Sequence, residues 1–189
     1  MEWKRKPGTW QMTEHTKNGV LYVTFPLLDA EQGFVHGFST RIGGVSEGDL
    51  SSMNLSFTRG DDPERVRENY RRIAAAVGFE TDRLVLTHQT HTNHVRVVTE
   101  ADAGKGFVRE RDYTDVDGLV TDVPQLVLTT FYADCVPLFF IDPVHRAIGL
   151  SHSGWRGTVS DIAAATVRTM QGEYGSRPED LLVGIGPSI

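Results

Sequence analysis

Cysteine is nearly absent from this 189-residue sequence, which contains a single one, Cys135. An intramolecular disulfide is therefore excluded, and a reducing, cytoplasmic compartment is expected. Long apolar runs are absent as well: none approaches the roughly 18 residues that a membrane helix needs, so no membrane partner is expected. The charged N-terminal residues 1–8 have no apolar run behind them, so no signal peptide is predicted.

Basic charge is in deficit. The 19 lysines and arginines face 25 aspartates and glutamates, which gives a formal net charge of −6. A surface with this balance repels phosphate polymers, so the composition argues against a nucleic-acid partner. The length favours one domain over residues 1–189, large enough to bury a core without covalent cross-links.

Short β-rich runs dominate the chain, and they do not alternate strictly with helices. This order predicts a mixed α+β layered domain. The predicted strands are 19–25, 34–40, 84–86, 95–98, 119–121, 126–132, 136–141, 147–151 and 181–185.

Two helices are predicted. The first covers 63–77, with Asp62 as N-cap, Pro63 at the first position and Gly78 just beyond the end. The second covers 159–171, and Thr158 with Asp161 resembles a capping box. Its predicted buried stripe consists of Val159, Ile162, Ala163, Thr166, Val167 and Met170.

A predicted hairpin brings the single cysteine near a histidine. If strands 136–141 and 147–151 pair about a turn centred near Val144, Cys135 lies almost directly opposite His152. A thiolate and an imidazole at that separation can share a zinc ion or form a nucleophile–base pair. The third interpretation is a buried, inert cysteine beside a loop histidine.

Three more histidines, His88, His91 and His94, lie three residues apart in one segment. On a strand His91 would point away from the other two, whereas on a helical turn all three would align. The spacing alone leaves open which of them contributes a ligand.

Two arginines and two aspartates complete the candidate residues. Arg41, beside Gly43-Gly44, and Arg156, before a predicted helix N-terminus, are candidate anion contacts, although solvated loop arginines are common. Asp117 and Asp134 are candidate carboxylates that orient a ligand or transfer a proton, although each is also a common turn former.

Several motifs occur in a characteristic order: HGFSTRIGGVS, SMNLS, HQTH, DVDGLVT, YADCVPLFF, LSHSGWRGT and GIGPSI. Together they resemble the YfiH/YlmD/LACC1-like family over about residues 34–189. This family was formerly described as polyphenol oxidase or laccase and is now described as purine nucleoside phosphorylase with adenosine deaminase activity. The resemblance implies a layered α/β/α domain with mixed β-sheets.

The resemblance also implies a site. The family's zinc ligands correspond to His91, Cys135 and His152, and Arg41 and Asn54 are implied as contacts to substrate or phosphate. The expected catalytic group is Cys135, His152, Asp117 and Asp134, with Arg156 as a further substrate contact. The expected substrates are adenosine, inosine or methylthioadenosine together with phosphate. Family members continue beyond GPSI, so we expect this chain to be truncated at its C-terminus.

Three alternatives to the zinc enzyme stay open. Cys135 and His152 could form a cysteine hydrolase, or the chain could be an inactive zinc-binding fragment. A copper-binding oxidoreductase is the third, because Cys and His ligands bind copper readily. A four-copper laccase is excluded, since the sequence has seven histidines and no His-x-His motif.

Overall fold

A computed structural model describes residues 12–188, and these form two compact units that divide between Val77 and Gly78. The predicted absence of a signal peptide concerns residues 1–8, and these lie outside the described residues, as does the final Ile189. Across residues 12–188, no helix is long and apolar enough to cross a membrane.

The first unit contains a three-stranded antiparallel sheet and two α-helices. Its elements are β1 (Thr13–Lys17), β2 (Val20–Thr24), α1 (Pro26–Asp29), β3 (Phe38–Ser39) and α2 (Pro63–Val77), with a 3-10 turn at Gly48–Leu50. Helix α2 has the predicted bounds, and the Glu64 amide donates to Asp62 Oδ1 at 2.9 Å, as an N-cap requires. Its apolar side chains Val66, Tyr70 and Ile73 are buried.

The second unit is built on a five-stranded mixed sheet in the order β10-β8-β9-β6-β5, next to a two-stranded parallel sheet, β4-β7. Its strands are β4 (Leu84–Leu86), β5 (Val95–Val97), β6 (Gly118–Thr121), β7 (Val127–Thr129), β8 (Val136–Asp142), β9 (Ala147–Ser153) and β10 (Leu182–Ile185). Its helices are α3 (Trp155–Val159) and α4 (Ile162–Tyr174), with 3-10 turns at Thr81–Arg83, Glu100–Asp102 and Pro178–Asp180.

Two apolar clusters cover the two faces of the five-stranded sheet. Helix α4 packs Ile162 and Met170 against Val120 and Phe140 on one face. On the other face, Leu119 packs against residues that include Val85 of β4. Because Leu119 and Val120 are consecutive in β6, their side chains point to opposite faces. The prediction of a layered fold with helices and mixed sheets is confirmed.

The second predicted helix, 159–171, was wrong at both ends, because α4 covers Ile162–Tyr174. Helix α3 ends at Val159, which is 77% exposed, and α4 begins only at Ile162. Asp161 between them has a left-handed backbone (φ 59°) and makes no side-chain capping bond, while Thr158 bonds to Ser153 and Gly154. The predicted capping box is absent because this break interrupts the helix. Within α4, Ile162, Thr166 and Met170 of the predicted stripe are buried, whereas Ala163 is exposed.

The strand predictions also needed three corrections. The predicted strand 126–132 shrinks to Val127–Thr129. Strand β1 had not been predicted, because its residues are almost all exposed and show no apolar alternation. The predicted strand 34–40 shrinks to Phe38–Ser39, since only these two residues pair with β2.

The β8–β9 hairpin forms with a shifted register. His152 lies opposite Pro137, and Cys135 precedes the first paired residue, Val136. Cys135 is thus diagonal to His152 and not directly opposite. The turn is responsible, because Asp142 accepts hydrogen bonds from the amides of Val144 and His145 and so closes a four-residue loop. A displacement of two residues preserves the face, so the two side chains can still meet.

Candidate metal centre

Three side chains from separate segments converge in the second unit. Cys135 immediately precedes β8, His152 is the penultimate residue of β9, and His91 lies in the loop between β4 and β5. Each offers one ligand atom, and the three atoms all lie within 4.8 Å of one another. Within residues 12–188, this is the one such group of three or more His, Cys, Asp or Glu residues. His152 is buried and His91 is exposed, so the group opens to solvent on the His91 side.

The Asp117 carboxylate holds the His91 loop in place. Asp117 is fully buried immediately before β6, and its oxygens accept hydrogen bonds from the amides of Thr90, His91 and Thr92 at 3.0–3.1 Å. The Thr92 hydroxyl adds a further bond at 3.0 Å. With its amide tied in this way, His91 adopts a left-handed backbone (φ 66°), which is uncommon outside glycine.

Asp117 also orients His152. The Asp117 Oδ1 atom lies 2.8 Å from His152 Nδ1, and the backbone carbonyl of Asp117 accepts a hydrogen bond from the His152 amide at 2.7 Å. Burial alone would raise the pKa of Asp117, but hydrogen bonds from His152 and from the Thr90 and Thr92 amides outweigh it and lower the pKa to about 2. An ionised carboxylate only accepts, so Nδ1 of His152 donates to Asp117, and Nε2 is the ring nitrogen that is available to a metal.

Gly154 lies directly against all three side chains. A Cβ atom on this residue would stand 2.7 Å from His91 Cδ2, 3.1 Å from Cys135 Sγ and 3.6 Å from His152 Cε1. Its backbone (φ −73°, ψ 171°) is open to any residue, so the requirement for glycine is purely one of space. This role of Gly154 was not predicted from the sequence, although the residue lies within the HSGWRG motif.

Tyr132 packs against His152, and this contact was also not predicted from the sequence. The two rings are tilted with centroids 5.6 Å apart, and the phenol donates to the Ser151 carbonyl at 3.1 Å. Burial raises the pKa of Tyr132, so the phenol stays neutral and acts as a donor. Tyr132 is the first residue of the YADCVPLFF motif, but its hydrogen-bond partner Ser151 is 19 residues away in sequence, so the motif did not reveal the contact.

The remaining histidines of the segment lie outside the cluster. His94 Nδ1 is 2.9 Å from the Asp115 carbonyl, and His88 Nδ1 accepts the Asp115 amide at 3.4 Å. Asp134 is exposed in the bend beside Cys135. The structure therefore brings His91, not His88 or His94, next to Cys135 and His152.

The predicted substrate contacts fall in both units. Arg156 belongs to the first turn of α3 in the second unit and is exposed, with its guanidinium 5.3 Å from the Trp155 ring centroid. Arg41 and Asn54 belong to the first unit. Arg41 donates to the Ser51 and Asp49 carbonyls, and Asn54 donates to Asp61. Their roles toward a substrate stay predictions.

The fold and the cluster together define a mixed α/β protein with a candidate three-ligand metal centre. The donor set fits a metal ion on two observations. The three ligand atoms lie within 4.8 Å of one another, and Gly154 places no side chain of its own against them. One thiolate and two imidazoles suit zinc or copper better than the oxygen-seeking ions.

Comparison with known proteins identifies the family. The profile of the family described as multi-copper polyphenol oxidoreductase laccase matches residues 35–189. The chain belongs to this family, the YfiH family, as its motifs had suggested. Mouse "Purine nucleoside phosphorylase LACC1" is 40% identical over 176 residues, which cover 92% of this chain and 38% of that protein. "Purine nucleoside phosphorylase YlmD" of Geobacillus stearothermophilus is 38% identical, over 83% of this chain and 58% of that protein.

Solved structures agree with the sequence matches. The crystal structure of YlmD from Geobacillus stearothermophilus superimposes with a TM-score of 0.82 at 36% identity, over 97% of this chain and 66% of that one. Bacillus licheniformis YfiH, described as a hypothetical protein, gives a TM-score of 0.83 at 33% identity, over 92% and 63% of the two chains. The chain spans between 38% and 66% of the length of these relatives.

Proposed function

We propose that this chain carries the metal centre of a zinc-dependent purine nucleoside phosphorylase with adenosine deaminase activity. The observation that carries the proposal is the convergence of His91, Cys135 and His152 within 4.8 Å. Relatives named purine nucleoside phosphorylase support the reaction class. The proposed substrates are adenosine, inosine or methylthioadenosine, together with phosphate, as the family resemblance implies.

Zinc is the proposed metal because its catalytic sites use three protein ligands of this kind and keep a fourth position open. When bound, zinc would supply a Lewis acid that activates water or polarises a substrate atom at neutral pH. The chain's own contribution is to hold His152 with Nε2 available, through Asp117, and to hold His91 through the loop amides. The open side at His91 would admit the substrate.

Arg156 is the proposed phosphate contact of the second unit. It follows Gly154 by two residues, its guanidinium lies 5.3 Å from the Trp155 ring centroid, and none of the ion pairs among the described residues involves it. A guanidinium binds a phosphate through two parallel hydrogen bonds, which favours arginine for this task.

One observation favours a second candidate, a cysteine hydrolase. Asp117, His152 and Cys135 stand in the order of an orienting carboxylate, a base and a nucleophile. The metal hypothesis differs from it in requiring His91, which has no place in a nucleophile–base pair.

Alkylation of Cys135 separates the two candidates. A thiolate committed to zinc should react slowly with iodoacetamide until a chelator removes the metal, and then react at least about tenfold faster. Chelation should stop phosphate-dependent release of hypoxanthine from inosine and conversion of adenosine to inosine, and zinc should restore both. The Cys135→Ser variant should lose metal and activity together. A metal-free preparation that keeps its activity and forms a covalent adduct at Cys135 would instead establish the hydrolase.

A further inference from the structure

Gln89 connects the loop that carries His91 to the loop that carries Cys135. Strands β4 and β7 pair in parallel as far as Leu86 and Thr129. Beyond these residues both segments continue as loops. The loop after β4 leads to His91, and the loop after β7 leads to Cys135. Some other contact must set the separation of the two loops.

The side-chain amide of Gln89 makes that contact. Its Oε1 accepts the Phe131 amide at 2.7 Å, and its Nε2 donates to the Phe131 carbonyl at 2.7 Å. One side chain therefore satisfies both backbone groups of Phe131, as a neighbouring strand would. The Thr87 hydroxyl, also at 2.7 Å from Oε1, fixes the orientation of the amide.

The position of Gln89 gives this pairing a consequence for the cluster. Gln89 is two residues from His91, and Phe131 is four residues from Cys135. Asp117 ties the His91 loop to His152 but makes no described bond to the Cys135 loop. We propose that Gln89 is a positioning residue that sets the separation of Cys135 from His91. This inference rests on the proposed metal centre.

Cobalt binding tests the proposal. Co²⁺ alone is titrated into the metal-free chain, and the sulfur-to-cobalt charge-transfer absorption reports ligation by Cys135. For Gln89→Ala we expect Co²⁺ affinity to fall by about 10- to 100-fold, as for other residues that support metal ligands. The charge-transfer intensity per bound ion should fall as well, because the Cys135 loop is no longer held.

Two further variants complete the experiment. Gln171→Ala removes an exposed glutamine from α4 and should behave as the parent chain. Gln89→Glu keeps the side-chain length and one acceptor for the Phe131 amide, so it should fold and show an intermediate loss of affinity. Unchanged affinity and unchanged charge transfer in both Gln89 variants would overturn the proposal.

A second readout separates this inference from the proposed function. In chelator-treated protein, Gln89→Ala should speed alkylation of Cys135 by iodoacetamide several-fold over the parent, since the loop is looser. A parent chain that binds neither zinc nor cobalt would refute the metal centre, and the alkylation rates would still decide the role of Gln89. Equal rates in the metal-free parent and variant would then count against it.

Discussion

Replacement of Asp117 by Asn is expected to weaken zinc binding by about 10- to 100-fold and to lower the free energy of unfolding by about 2–3 kcal/mol. The carboxylate is buried and accepts five hydrogen bonds, from three loop amides, one hydroxyl and His152. An asparagine of the same size has one acceptor oxygen and turns its NH₂ toward donors. The His91 loop and the His152 ring would both lose their fixed orientation.

Asp115→Asn is the matched control. Asp115 precedes Asp117 by two residues, is exposed, and has a left-handed backbone (φ 55°) that asparagine tolerates well. Urea unfolding and competition for zinc with a chelating dye would measure both variants. Equal zinc affinity in Asp117→Asn and Asp115→Asn would show that the carboxylate does not organise the ligands.

Gly154→Ala should weaken metal binding and raise the zinc dissociation constant by at least about tenfold, while the chain stays folded. The added methyl group would stand 2.7 Å from His91 Cδ2 and 3.1 Å from Cys135 Sγ, closer than carbon atoms pack. The backbone of Gly154 accepts alanine without strain, so the substitution should displace the ligand side chains and leave the backbone unchanged. Isothermal titration with zinc measures the effect.

Gly172→Ala provides the comparison for this variant. Gly172 lies within α4, and a Cβ there meets no atom within 4 Å. Alanine should raise helix stability by up to about 1 kcal/mol and leave zinc binding unchanged. If Gly154→Ala bound zinc as tightly as Gly172→Ala, the cluster would not be the metal site.

Local signals explain which elements could be predicted. Helix α2 has its predicted bounds because Asp62, Pro63 and Gly78 all act on their own neighbours in the chain. The break between α3 and α4 depends on the left-handed backbone of Asp161. No pattern of residues in the sequence predicts this backbone conformation. The hairpin was predicted, but its register depends on the closed turn that Asp142 forms with its side chain.

Of the three candidate ligands, only the pair of Cys135 and His152 could be predicted from local patterns in the sequence. The predicted hairpin placed Cys135 and His152 on the same face of the sheet. This prediction survives the change in register, because a shift of two residues leaves each side chain on the same face. The choice of His91 over His88 and His94 followed only from the family resemblance. Its physical cause is the hydrogen bonding of Asp117 to the loop amides, a contact 26 residues away in sequence that spacing does not reveal.

The zinc content of purified histidine and cysteine variants tests the ligand set most directly. The parent chain, His88→Ala and His94→Ala should each carry about one zinc per chain, because three ligands around an open position define one site. His91→Ala, Cys135→Ser and His152→Ala should each lose most of it. If His88→Ala or His94→Ala lost the metal while His91→Ala retained it, the assignment of His91, Cys135 and His152 would be contradicted.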